Sequence, residues 1–205
     1  MVDLVPIGPR SILEAYGPIS MGVFYSTTAD GDEGSKGWGV CDDDEPEEYT
    51  QTTCGGPGRE LEITYLVIPY AVEANVEVRL KLKDLGFRSR AVYGKIKASA
   101  TDYGNKSVHL FSCERGRSWS VPSGSTSILP LSPSVVALPY CRQLELHVEV
   151  DLTVITTCDN QEEDKNLKFS LEFTRGIRSQ EREVDDDQVE VKITWPQHEQ
   201  PLYAS

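Results

Sequence analysis

From Leu144 to Val154 hydrophobic and polar residues alternate without a break. Leu144, Leu146, Val148, Val150, Leu152 and Val154 are apolar, while Glu145, His147, Glu149, Asp151 and Thr153 are polar. A period of two held this long predicts a strand with one face in a core and the other in water. A helix would spread those six apolar side chains around its whole circumference. Three more stretches repeat the pattern. Val76, Val78, Leu80 and Leu82 alternate with Glu77, Arg79, Lys81 and Lys83. Leu167, Phe169, Leu171 and Phe173 alternate with Lys168, Ser170 and Glu172, and Val189, Val191, Ile193 and Trp195 with Glu190, Lys192 and Thr194.

Shorter runs fill the intervals. Val92, Gly94, Ile96 and Ala98 oppose Tyr93, Lys95 and Lys97. Strands are also expected in 12–26 (kinked at Gly17-Pro18), 61–69, 108–113, 119–121, 128–131 and 135–138. No window shows the three-and-four spacing of an amphipathic helix. About ten strands, each apolar on one face, need two facing sheets or a closed wall to hide those faces. Short links such as 71–75 and 85–90 imply antiparallel neighbours, because parallel pairs need long crossovers. The expected fold is therefore an all-β antiparallel sandwich with little or no helix; an open β-barrel is the alternative.

Residues 1–10 read as an N-terminal arm, 11–196 as a single β-sandwich domain, and 197–205 as a C-terminal tail. Inside the domain, 28–57 reads as a long acidic loop containing Asp42-Asp43-Asp44-Glu45 and ending in Gly55-Gly56-Pro57-Gly58. At 205 residues the chain can bury a core without disulfide or metal staples.

Charge narrows the partners. The formal net charge of −13 repels nucleic acid and anionic membranes, so neither is expected as a partner. No run of 18 apolar residues is present to span a bilayer, and the first residues lack the regions of a secretory leader. The five cysteines form no C-x-x-C pair. Reduced thiols in an intracellular, cytoplasmic protein are the expectation, with Cys41 and Cys54 the pair that would contradict it.

Candidate chemistry is sparse. Acidic segments at 42–48, 159–164 and 185–187 raise the thought of calcium, which takes six to eight oxygen ligands. The last two bracket a strand at 166–174, which would hold them on the order of 25–30 Å apart, so solvated loop charge is the expectation. His109, His147 and His198 share no metal spacing and no triad order. Neither a G-x-S-x-G elbow nor a phosphate loop occurs. No cofactor, metal or catalytic residue is expected.

One cluster stands apart. Arg79, Lys81 and Lys83 lie on one strand, and Arg88, Arg90, Lys95 and Lys97 on the next. Paired as a hairpin, these strands would present a cationic face on an acidic protein. Arg79, Lys81, Lys83, Lys95 and Lys97 are thus the expected partner-binding residues, suited to an acidic partner.

Seven segments in order carry a resemblance: "LEAYGPIS" (13–20), "VEVRLKLKDLG" (76–86), "YGKIKA" (93–98), "VHLFS" (108–112), "LPLSPSVVALP" (129–139), "LELHVEVDL" (144–152) and "VEVKITW" (189–195). Together they resemble a plant domain of unknown function, abundant in grasses and in some relatives joined to a ribosome-inactivating N-glycosidase domain. The chain departs from that family at Pro133, where a basic residue is usual, and in its acidic 27–58 region. The resemblance implies no catalytic residues, and no Glu-Ala-Ala-Arg type helix is present. The expected function is a non-enzymatic module binding a protein or glycan, an accessory domain in plant defence or stress response. The alternative is a hydrolase or glycosidase with its site near 28–57.

Overall fold

The computed structural model describes residues 19–23, 34–38, 47–54, 60–68, 71–86, 89–104, 106–122, 126–139, 144–158 and 161–195. The expected arm, the tail, His198 and Cys41 lie outside the described residues. So does any pairing of Cys41 with Cys54. Contacts divide the chain into two compact units, Leu13–Tyr70 and one that contains Ala71–Ser205.

The first unit holds two antiparallel hairpins. Strand β1 (Ile19–Val23) pairs with β2 (Gly34–Trp38), and β3 (Glu47–Cys54) pairs with β4 (Glu60–Val67). Strands β2 and β3 correct the expectation of an irregular loop at 28–57. Acidity and glycine content masked a threonine-rich run, Thr50 to Thr53, that favours extended backbone.

Among the described residues, ten strands build the second unit. They are β5 (Ala71–Lys81), β6 (Ser89–Ser99), β7 (Val108–Cys113), β8 (Trp119–Val121), β9 (Thr126–Ile128), β10 (Val135–Pro139), β11 (Glu145–Cys158), β12 (Gln161–Thr174), β13 (Ser179–Val184) and β14 (Asp187–Thr194). One sheet runs β10-β5-β14-β13, with β9 also on β5; the other runs β12-β11-β6-β7, with β8 also on β6. All pairings are antiparallel, and the two sheets pack face to face as a sandwich without closing into a barrel.

The alternation seen in the sequence is the alternation of the core. Leu146, Val148, Val150, Leu152 and Val154 on β11 meet Val76, Val78 and Leu80 on β5, and Val189, Val191 and Ile193 on β14, all at most 3% exposed. Strand β6 contributes Val92, Ile96 and Ala98. Gly94, in line with them, has a different reason. Its φ is +126°, and a Cβ there would lie 2.2 Å from the Asp151 carbonyl oxygen, so only glycine lets β6 come this close to β11.

Two polar ties join the sheets near opposite ends of β6. After β6, a 3-10 turn at Thr101–Tyr103 buries Tyr103, whose hydroxyl donates to the Ala137 carbonyl on β10. Burial pushes that hydroxyl's pKa well above its ordinary value. At the start of β6 the tie is ionic and belongs to the next subsection.

Two sequence inferences about neighbours fail for one reason each. Strands β5 and β6 do not form a hairpin. The link between them is short, but it turns a corner from one sheet to the other, which short arches in a sandwich do as readily as hairpins. Strand β13 is also unexpected, because Ser-Gln-Glu-Arg-Glu-Val carries almost no apolar residue. As an edge strand with little buried surface it has no reason to alternate.

Candidate binding surface

The expected cationic face is split between the two sheets. Arg79 and Lys81 lie on β5, with Lys83 just after it, while Lys95 and Lys97 lie on β6 in the opposite sheet. Each set is interleaved with carboxylates. Arg79 donates to Glu77 at 2.7 Å and comes within 3.7 Å of Glu190 on β14. Lys83 pairs with Asp186 at 2.7 Å, which holds that carboxyl below its usual pKa. Across β6 and β11, Lys95 sits opposite Asp151 and Lys97 opposite Glu149. Lys168 on β12 donates to Asp151 at 2.8 Å. These are rungs of alternating charge in which each strand complements the next.

Arg90 does not belong to that face. Its even position puts it on the inward side of β6, 4% exposed, where it makes a two-pronged ion pair with Asp187 at 2.8 and 2.9 Å. Asp187 is 1% exposed and also accepts from Lys165 Nζ and the Lys83 backbone N–H, both at 2.8 Å. Lys165 Nζ further donates to the carbonyls of Val184 and Asp185. Burial pushes the Asp187 carboxyl's pKa up, but the hydrogen bonds from Arg90, Lys165 and the Lys83 backbone outweigh it, and the net shift is downward. Arg90 and Lys165 come from one sheet, Asp187 and Lys83 from the other, so the cluster clamps the sandwich. The signal for it was present in the sequence: Arg90 and Asp187 are charged residues at positions whose parity is otherwise apolar.

That clamp also corrects the argument that kept the acidic segments apart. With β13 returning the chain beside β12, Lys165 touches the 185–187 turn, so 161–164 and 185–187 lie toward the same end of the molecule. Asp185 and Asp186 occupy the turn with φ of +45° and +68°. Their neighbours there are cations, and among the described residues no group of three or more His, Cys, Asp or Glu is placed to hold a metal ion. His147 lies 3.7 Å from Glu172 on the adjacent strand, and His109 faces Lys97 in register. Asp159 and the 42–46 part of the first acidic segment lie outside the described residues, as does most of the region proposed for a hydrolase site.

The feature that sequence reading missed is a groove of about 450 Å³ on the outer face of the β5 sheet. It exists because the edge of that sheet is split. Strand β10 pairs with residues 71–75 of β5 and β9 with 79–81, and the chain between them, 129–134, swings clear. Backbone bonds pin this segment. Leu129 N–H donates to Val78 O, Val76 N–H to Ser134 O, and Ser132 N–H to Leu110 O across the sandwich, all at 2.8–2.9 Å. Val76 and Leu129 form its buried wall, with Ile128, Pro130 and Leu131 completing the apolar side and Asn75, Glu77, Ser134, Lys192 and Thr194 the polar one. Ile128 is 56% exposed, more than Trp119 or Ile177 among the large apolar side chains at the described surface. Residues 128–131 read as a strand in sequence because Ile128, Leu129 and Leu131 look like strand residues; only tertiary pairing shows that the strand is 126–128 and that the chain then leaves the sheet.

No helix among the described residues is long and apolar enough to cross a membrane. Comparison with known proteins gives one finding. A family model described as Domain of unknown function (DUF6598) matches residues 19–194, which spans both units. No curated protein and no solved structure matches the chain.

Proposed function

The chain belongs to the family of the domain of unknown function DUF6598, and on that premise we propose that it is a non-enzymatic binding module whose working surface is the outer face of the β5 sheet. The observation that carries this reading is the preformed groove, with exposed Ile128 at its rim and Arg79 beside it in register. A concave, pinned site with an apolar wall and a few polar groups is what recognition of a partner needs. Of the five basic residues singled out in sequence, Arg79 and Lys81 lie on this face, and they extend the surface toward the β9 end. Lys95 and Lys97 lie on the other sheet and are not part of it.

The buried Asp187 carboxylate is committed to Arg90 and Lys165 and serves to hold the two sheets together. An accessory role in plant defence or stress response, in the cytoplasm, completes the reading and rests on the resemblance to the grass domain.

The test is capture of partners from grass leaf extract on three immobilised proteins. Wild type and a Lys95→Glu/Lys97→Glu variant should retain one stoichiometric partner that an Ile128→Asp/Lys192→Glu variant loses. Wild-type turnover of a panel of glycoside and ester substrates, above buffer and abolished by heating, would overturn the reading.

A further inference from the structure

We propose that the groove recognises an extended peptide segment of a partner protein, with one apolar side chain seated against Ile128 and Leu131 and a single neighbouring carboxylate on Lys192. This rests on the reading of the chain as a binding module and adds the chemistry of the ligand. The charge balance of the lining leads to it. Glu77 and Lys192 are the ionisable residues among the ten that line the groove. Glu77 is already committed, to Arg79 at 2.7 Å. Lys192 is exposed and has no ion-pair partner among the described residues, although Glu77 is its cross-strand neighbour. The groove therefore offers one ammonium with no ion-pair contact among the described residues, beside an apolar wall.

The remaining polar groups match a peptide. Neither the Asn75 amide nor the hydroxyls of Ser134 and Thr194 are engaged by a side-chain hydrogen bond among the described residues. An amide and two hydroxyls can each donate and accept, which suits the alternating N–H and C=O of an extended backbone. Their spacing follows the strands, because Asn75 pairs with Thr194 and Glu77 with Lys192 along β5 and β14.

The same lining disfavours other ligands. Among the described residues no aromatic side chain lines the groove to stack a sugar ring or a base. One ammonium cannot hold a polyanion against a formal net charge of −13. That charge also limits the ligand to one carboxylate rather than an acidic run. Beyond roughly 8 Å the repulsion is screened at physiological ionic strength, and the contact with Lys192 lies inside that distance.

The experiment is a titration followed by amide chemical shifts on the full chain, with acetyl-Ser-Leu-Asp-Leu-Ser-amide as probe. Saturable shifts should centre on Asn75, Ile128, Lys192 and Thr194. Replacing the aspartate of the probe by asparagine should weaken binding by about tenfold, the scale of one charge-assisted contact. Lys192→Glu should abolish binding and Lys192→Arg retain it, both variants remaining folded because the residue is exposed. Free 4-methylpentanoate, which has the same tail and charge without a backbone, should bind much more weakly. Equal binding by that acid, shifts centred elsewhere, no saturation, or indifference to Lys192→Glu would each overturn the inference. A probe that fails while groove-dependent capture from leaf extract succeeds would sink the ligand assignment and leave the binding module standing.

Discussion

The two sheets of the sandwich share a core but treat their outer faces differently. On the β11 sheet β6, β11 and β12 run for 11 to 14 residues, and opposite charges meet across the rungs: Lys168 donates to Asp151, Lys95 faces Asp151 in register and Lys97 faces Glu149. Arg115 lies over the Tyr93 ring and bonds Glu162 and Asp164, spanning Ile155, which is only 6% exposed on that outer side. Both sheets have a split edge, β7 and β8 sharing β6 and β10 and β9 sharing β5, but on the β5 sheet the chain between the two partners lines a groove beside Lys192. Opposite charges in register leave little for a partner to meet, whereas a segment pinned at both ends beside a sheet edge leaves a concave surface that can be filled.

The largest expected effect tests how strictly the regular sheet is built. Gly94→Ala places a Cβ 2.2 Å from the Asp151 carbonyl oxygen and 2.9 Å from the Leu152 Cα, at a φ of +126°. Backbone strain plus overlap should cost about 3–5 kcal/mol. Gly86→Ala, also at positive φ (+69°) but with nothing within 4 Å of a new Cβ, should cost only about 1–2 kcal/mol. Denaturant melts of the two variants separate close approach from conformation alone. Equal losses would mean that the β6–β11 spacing relaxes freely.

Next comes the clamp that both sheets share. Asp187→Ala leaves Arg90 buried without its carboxylate, a loss of about 3–5 kcal/mol for breaking one side of a buried pair. Because the carboxyl's folded pKa lies below its unfolded value near 4, its contribution is fully present above that value. It is lost as pH falls through the lower folded pKa. Wild type should therefore show an acid limb of stability below about pH 4 that Asp187→Asn flattens. The triple change Arg90→Met/Lys165→Met/Asp187→Leu should recover much of the loss, as apolar replacements of buried ion groups often do.

These predictions also show what the sequence could and could not reveal. The long strands were legible because hydrophobic burial imposes a period of two on any residue facing the core, and β5, β11, β12 and β14 have one face each. Strand β13 was not, since an edge strand buries too little to leave a pattern. The pairing of β5 with β6 was misread because a link of a few residues fits a hairpin and a corner equally. The basic cluster split for that reason. The Arg90–Asp187 clamp left a trace in the parity of two charged residues, but joining them required knowing that the strands face one another. The groove left none: it is a property of where two segments stop pairing with a third.

Smaller effects sharpen the contrast between faces. Lys168→Ala removes an exposed rung of the β11 sheet and Lys192→Ala an exposed lysine of the β5 sheet that faces Glu77 in register. Neither should move the melting midpoint beyond replicate error, since exposed charges are screened and mobile. They should differ in ligand binding, where only Lys192 matters.

The smallest effect concerns His109 on β7, half-buried opposite Lys97. Burial lowers its pKa first, and the Lys97 and Lys95 ammonium groups lower it further. Its folded value thus lies below the unfolded value of about 6.5, so the native state prefers neutral imidazole. Stability from this residue is full above pH ~6.5 and is lost as pH falls from there toward the folded pKa. Lys97→Ala removes one of the two charges and leaves the burial, so the midpoint of the His109 ring-proton titration should rise partway toward that of a free imidazole. Lys168→Ala, whose lysine lies three strands away beyond Asp151, should leave it in place. If both changes shifted His109 equally, the charges of the β11 face would act as a diffuse field rather than rung by rung.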